Sequence, residues 1–303
     1  MTIHPSAPPN HLARDELRVR PAADGVSLAI DAAQAGWRYL SFRALALGAG
    51  ERLDLGGPGT ETAVVVVAGG GLSLVVDGGE GLELDGRETA FSAKPWAVYV
   101  PPDCRVQAKA KPFADGHVLV AIAEAPASGR DGVATAPVLI GPRDVDVEIR
   151  GAGNATRRIH HIIKPEFPAD RLEVVEVYTP AGNWSSWPPH KHDVDDMPNE
   201  AVLEEIYYYQ QRRARDGWGL QRLYRRNGDR RDGCWAVRHG ELVLVTDGYH
   251  PFVAAHGYDA YYLNALAGDR RTMACTDDPD LAWTRAAWAE MQADPRAMAM
   301  VAD

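Results

Sequence analysis

Along most of this chain, short apolar segments rich in β-branched and aromatic residues alternate with Gly, Pro and Asp, at spacings that suit a sandwich or barrel. Trp37–Leu47, Ala63–Val67, Leu72–Val76, Trp96–Val100 and Val118–Ala121 predict the strands of one all-β unit, with Gly69-Gly70-Gly71 as a tight turn between two of them. After the loop Gly151–Asn154 the pattern repeats. Ile159–Ile163, Leu172–Tyr178, Glu205–Tyr209, Gln221–Tyr224, Trp235–Val237, Leu242–Val245 and Ala260–Leu266 predict a second unit. The run from Trp96 to Pro102 corresponds to that from Leu242 to Gly248, each an apolar strand entering a turn, which points to an internal duplication. Helical spacing emerges only near the end. There Asp278-Pro279 supplies a cap and a first-turn proline, and Leu281, Ala282, Trp288 and Met291 predict one terminal helix packed on the second unit. The expected division is 1–150, 151–274 and 275–303.

Composition supports two soluble domains: 303 residues, 46% hydrophobic and 24% charged. Lys and Arg number 32 against 42 Asp and Glu, and the net charge of −10 opposes attachment to nucleic acid. The basic stretch Arg212–Arg231 is interleaved with acidic and Gly residues and reads as a solvated hairpin. Cys104, Cys234 and Cys275 lack CxxC pairing and read as reduced bystander thiols. Met1–Arg20 carries no apolar leader core and no run is long enough to span a bilayer, so a cytoplasmic location with no membrane partner is expected.

Candidate chemistry centres on His190-Lys191-His192. Two histidines one residue apart on an extended strand share a face, and two neutral imidazoles make half of a transition-metal site. A carboxylate follows in Leu203-Glu204-Glu205-Ile206-Tyr207-Tyr208-Tyr209, and a third histidine follows a turn at Asp247-Gly248-Tyr249-His250. Three His and one Glu would leave coordination positions open for water or substrate. Strand parity points Lys191 outward as a surface or interface residue and gives Tyr207 and Tyr209 the same face as Glu205. A one-residue slip would exchange Glu204 and Glu205. Tyr262 and Asn264 share one face of the last strand and are expected to meet substrate. Arg222, Arg270 and Arg271 are the guanidinium candidates for a substrate carboxylate, Arg222 foremost. His160, His161 and His256 are read as structural.

The order HxH, Glu, then Gly-x5-turn-His resembles the two cupin motifs, and the resemblance spans nearly the whole chain as a bicupin, two tandem barrels. More narrowly, GNWSSWPPHKHD, LEEIYYY, DGYHP, HGYDAYYLNALAG and DDPD-x2-W resemble the 5-deoxy-glucuronate isomerases of myo-inositol catabolism. These are similar to the ketol-isomerases that act on 4-deoxy-5-keto-uronates. The comparison favours Glu205 as ligand, because it precedes a Tyr pair as the relatives' ligand Glu does. Twelve residues separate His192 from Glu205 where cupins commonly have three or four, and Thr246 stands at the turn position that is usually Pro; the insertion is shared with the inositol-pathway family. The first half, with Gly59-Thr60-Glu61-Thr62 and Pro101-Pro102-Asp103-Cys104 at the corresponding places, lacks the site and resembles a degenerate cupin.

The resemblance implies an aldose–ketose isomerase that converts 5-deoxy-glucuronate, a sugar acid, into 5-dehydro-2-deoxy-gluconate. It implies one divalent transition metal (zinc, manganese, iron or nickel) on His190, His192, Glu205 and His250. Glu204, Tyr207, Tyr209 or a metal-bound hydroxide is the base, and a homo-oligomer is compatible with it. The competing readings are a cupin dioxygenase, which would consume oxygen, and a sugar-acid-binding bicupin without turnover.

Overall fold

The computed structural model describes residues 17–77, 79, 81–114, 116–226 and 232–302. The expectation for Met1–Arg20 lies outside the described residues as far as residue 16, as does the basic hairpin at 227–231. In the first half, strands are β1 (Arg18–Val19), β2 (Leu28–Ile30), β3 (Ser41–Leu47), β4 (Arg52–Gly56), β5 (Thr60–Val76), β6 (Gly81–Arg87), β7 (Ala97–Val100), β8 (Arg105–Ala110), β9 (Val118–Pro126) and β10 (Val138–Ile140). Beyond them come β11 (Asp146–Arg150), β12 (Arg157–Ile163), β13 (Leu172–Thr179), β14 (Trp184–Ser185), β15 (His190–Lys191), β16 (Glu204–Gln211), β17 (Trp218–Tyr224), β18 (Asp232–Arg238), β19 (Leu242–Val245), β20 (Phe252–Ala254), β21 (Ala260–Ala267) and β22 (Thr276–Asp277).

Two large antiparallel sheets carry the duplication. One runs β10-β7-β5-β9-β3-β2 and the other β1-β19-β16-β21-β13-β12-β11, so β7, β5, β9, β3 and β2 match β19, β16, β21, β13 and β12 in order. The register matches too: Thr62 pairs with Val100 where Glu205 pairs with Val245. Thr62 therefore stands where the second half has its carboxylate. The strand beside β7 and that beside β19 break sequence order. β10 comes from beyond β9, whereas β1 comes from the start of the chain and lies in the second sheet. Passage from one sheet to the other falls between Ile140 and Asp146, so β11 joins the second sheet ahead of the residue-150 division.

Period-two alternation explains how the sheets pack. Val64, Val66, Val98, Val100, Val120 and Ile122 fill the first barrel. Their neighbours Ala63, Val65, Tyr99 and Ala121 face the other way, into a core shared with Val174, Tyr178, Ile206, Tyr208 and Leu263 of the second sheet. β16 is buried along its whole length because each of its faces meets a core.

Two equivalent carboxylates lock this interface. Glu204 accepts from the amides of Arg38, Tyr39 and Leu40 at 2.7, 2.9 and 2.8 Å. Its counterpart Glu61 accepts from those of Asp170, Arg171 and Leu172 at 2.8, 2.6 and 2.9 Å. Each half thus holds the residues leading into the other half's matching strand, β3 or β13.

Two local expectations are corrected. Gly69–Gly71 forms no turn: β5 continues through it while changing partners from β9 and β7 to β6 and β8. At Gly71 (φ 91°) a Cβ would lie 2.2 Å from the Leu84 carbonyl oxygen, so this glycine permits a bend under close backbone contact. The terminal helix is a single turn, α1 (Trp283–Ala286), followed by 3-10 turns at Ala287–Glu290 and Pro295–Ala299. Asp278 caps the turn ahead of α1 and not α1 itself: its carboxylate accepts from the Asp280 amide and its carbonyl from the Leu281 and Ala282 amides, whereas α1 has Ala282 at its N-cap and no side-chain cap. Ala297, Met300 and Val301 make the buried contacts expected of Trp288 and Met291. No helix among the described residues is long and apolar enough to cross a membrane.

Candidate metal centre

The site lies inside the second barrel. On β16 odd-numbered residues face inward, and Glu205, Leu266 and Glu173 form one row across β16, β21 and β13. His192 follows the short strand β15, whose partner is β22, and Lys191 between the two histidines turns outward to Asp193 and Glu200. His250 follows β19 through a turn at Gly248 (φ 77°), where a Cβ would lie 2.5 Å from the Tyr224 carbonyl oxygen.

His192, Glu205 and His250 are all buried and offer ligand atoms within 4.8 Å of one another. His190 flanks the group, its ring 4.7 Å from that of His250 and 6.4 Å from that of His192. The structure thus converges three of the four expected ligands and sets the fourth beside them.

The tautomers follow from the backbone. Nδ1 of His190, His192 and His250 faces the carbonyl oxygens of Pro188, Leu203 and Gly248 at 3.3, 2.9 and 3.0 Å. Donation from each Nδ1–H leaves an Nε2 lone pair for a cation. Glu205 Oε2 lies 2.9 Å from His192 Nε2 and 3.3 Å from His250 Nε2. His250 Nε2 is buried without a hydrogen-bond partner. Burial, reinforced by its histidine neighbours against the pull of Glu205, pushes the His250 pKa down to about 3. Burial and His192 likewise take His190 to about 3. For His192 burial acts downward, but the Glu205 hydrogen bond and charge outweigh it and leave the pKa raised. A neutral His250 lone pair facing a carboxylate oxygen calls for a cation between them, and an imidazole–carboxylate donor set suits a divalent transition metal. The residues fit such an ion.

A cavity of about 270 Å³ opens on this group, lined by His190, His192 and Glu205 together with Arg150, Arg157 and Arg285. Cys275 also lines it, with burial pushing the thiol up to about 11, so it stays protonated.

The other sequence candidates separate by face. Tyr207 and Tyr209 lie inward: Tyr207 Oη is 2.7 Å from Ser186 Oγ, and Tyr209 donates to Gln221. Burial first, then nearby tyrosines and Glu205, raise both phenols well above 10, so both are protonated at neutral pH. Tyr262 shares this inner face, 4.7 Å from Tyr207 ring to ring, and Asn264 donates to the Ile206 carbonyl at 2.9 Å. Glu204 is corrected: it faces the first half and its carboxylate is taken up by the three amides described above. Arg222 is corrected too, since it projects outward from β17 and pairs with Asp232 at 2.9 and 2.7 Å. Arg271 is spent on the carbonyls of Lys164, Phe167, Ala169 and Leu172, and Arg270 is exposed.

Sequence reasoning missed Glu173 and the three cavity arginines. Glu173 is 1% exposed, and burial pushes its carboxyl up to about 7 against Arg271, the Thr272 amide and His192. By strand spacing it sits roughly 10 Å from Glu205 across the sheet. The alternation Arg157, Ile159, His161 held the signal for Arg157, and the pairing of Arg150 with Arg157 carries the second guanidinium to the same place.

A family model described as the KduI/IolB family matches residues 17–284. The chain is 40% identical over 268 residues to the 5-deoxy-glucuronate isomerase of Geobacillus kaustophilus, covering 87% of this chain and 92% of the relative. It is 38% identical over 265 residues to that of Halalkalibacterium halodurans, with 86% and 93% covered. A crystal structure of an IolB-like protein from Salmonella typhimurium LT2 superposes with a TM-score of 0.80 at 35% identity, covering 88% of this chain and 98% of that one. Lactobacillus farciminis oxalate decarboxylase, at 9% identity and a TM-score of 0.58 over 90% and 91% of the two chains, shares the cupin fold.

Proposed function

Because the chain belongs to the KduI/IolB family and is an isomerase with a bicupin fold, we propose that it converts 5-deoxy-glucuronate into 5-dehydro-2-deoxy-gluconate in the cytoplasm. A divalent transition metal held by His190, His192, Glu205 and His250 is part of this reading. When bound, such an ion supplies Lewis-acid stabilisation to the oxyanion charge that develops on O1 and O2 of the sugar.

The reaction moves one proton from C2 to C1 and one from the C2 hydroxyl to the C1 carbonyl oxygen, with no external oxidant or reductant. Glu173 lies on the inner face and titrates near 7, so at neutral pH it is populated both as base and as conjugate acid. Tyr207, Tyr262 and Ser186 form a hydroxyl cluster that stays protonated and orients oxygen atoms. The Nδ1–H bonds to backbone carbonyls hold the three imidazoles in the orientation a metal needs.

The observation that carries the metal part is the convergence of His192, Glu205 and His250, with His250 Nε2 lacking a partner. Its test is metal analysis beside turnover: His250→Ala is expected to lose the ion and ketose formation together. Full activity in a metal-free His250→Ala protein would remove the metal from the mechanism.

A further inference from the structure

Three guanidinium groups line the cavity, and two are neutralised. Arg150 donates to both oxygens of Glu148 at 2.7 and 2.8 Å, and Arg285 donates to both oxygens of Asp277 at 2.8 Å each. Arg157 differs. It is 4% exposed, and among the described residues no carboxylate lies within ion-pair distance of it. Its Nη1 donates to the carbonyls of Ala155 and Trp187, both at 3.1 Å, which fixes the plane of the group. Nε and Nη2 find no acceptor among the described residues. Trp288 stands 5.8 Å from its Cζ and 5.3 Å from that of Arg285. Glu148, whose charge reaches Arg157, is already engaged by Arg150 and by His161 Nε2 at 3.0 Å.

Burying a cation without a counter-charge is expensive, and proteins offset that cost with a partner. Burial pulls the Arg157 pKa down to about 10, so the group still carries its charge at neutral pH. The edge formed by Nε and Nη2 matches the two oxygens of a carboxylate.

We propose that Arg157 is the anchor for the carboxylate of a sugar acid bound in the cavity, gripping the end of the ligand remote from the carbons that react. This rests on the sugar-acid reading above and deepens it by assigning the carboxylate to Arg157, in place of the outward Arg222. Arg150 and Arg285 have their Nε–Nη2 edge and their charge taken up by Glu148 and Asp277.

The test uses metal-loaded, full-length protein and two probes that cannot isomerise: the alditol acid made by reducing C1 of 5-deoxy-glucuronate, and its uncharged primary amide. By calorimetry the wild type binds the acid about 10- to 100-fold more tightly than the amide. Arg157→Met binds both equally, and Arg157→Lys keeps part of the preference because it retains charge without the fork. A purely structural Arg157 would weaken acid and amide alike. If Arg157→Met does not fold, Arg157→Lys decides alone, by a reduced ratio. An unchanged ratio in the variants, or no preference in the wild type, overturns the proposal. Turnover of 5-deoxy-glucuronate by the same wild-type preparation reports separately on the reaction. Acid preference without turnover keeps the anchor and removes the isomerisation, and turnover without acid preference does the reverse.

Discussion

Glu173 shows how a single position is pulled two ways. Neither of its buried oxygens has a normal hydrogen-bond partner, and burial raises its carboxyl to about 7. The folded state therefore binds a proton that the unfolded chain releases near the ordinary value of 4.5. Stability from this group is complete below that value and is lost as pH climbs through 7. Glu173→Gln, neutral throughout, should gain on the order of 2–3 kcal/mol over the wild type at pH 8 and nothing at pH 4, read by urea denaturation. Equal stability of the two proteins at pH 8 would contradict the raised value. Glu173 carries no local signal in the sequence because Leu172 to Val177 reads as a buried strand whose two carboxylates, Glu173 and Glu176, fall on opposite faces that the sequence does not tell apart. The histidines were legible because HxH and the turn before His250 are local patterns.

At the scale of elements, strand parity was readable but the identity of the facing partner was not. Period two puts Glu204 and Glu205 on opposite faces, and so does the structure. That the Glu204 face meets the loop Arg38–Leu40, while the equivalent Glu61 meets Asp170–Leu172, depends on how two sheets dock. Replacing Glu204 by Ala strands the buried amides of Tyr39 and Leu40 and the part-buried one of Arg38, and should cost on the order of 3 kcal/mol in urea denaturation, with kcat of the remaining folded protein unchanged. Glu61→Ala should behave alike. Loss of catalysis in a fully folded Glu204→Gln protein would return that residue to the chemistry. The glycine run teaches a related point, since three consecutive glycines served a bend and close backbone contacts within one strand. Gly71→Ala should destabilise by more than about 1 kcal/mol, because a positive φ and a neighbouring carbonyl both oppose a side chain there.

For the whole molecule, the duplication seen in Trp96–Val100 and Leu242–Val245 corresponds to β7 and β19, the matching strands of the two sheets. The exchange of β1 into the second sheet left no local trace, because its pairing with β19 joins distant parts of the chain. One core runs through both halves, with Phe42 against Tyr208 at 5.6 Å and the buried Arg87–Glu176 pair spanning the interface. Thermal unfolding should therefore show one transition for both halves, and a chelator should lower its midpoint by releasing an ion bound only in the folded state. Two resolved transitions would contradict the shared core.

The central claim is that this barrel isomerises a sugar acid with a metal at His190, His192, Glu205 and His250. Its most direct measurement is NMR of 5-deoxy-glucuronate incubated with metal-loaded protein. The aldehyde signal should give way to a ketose, with a chelator abolishing the change and restored metal reviving it; an aldehyde that persists with every divalent metal supplied, or a conversion indifferent to the chelator, would contradict it.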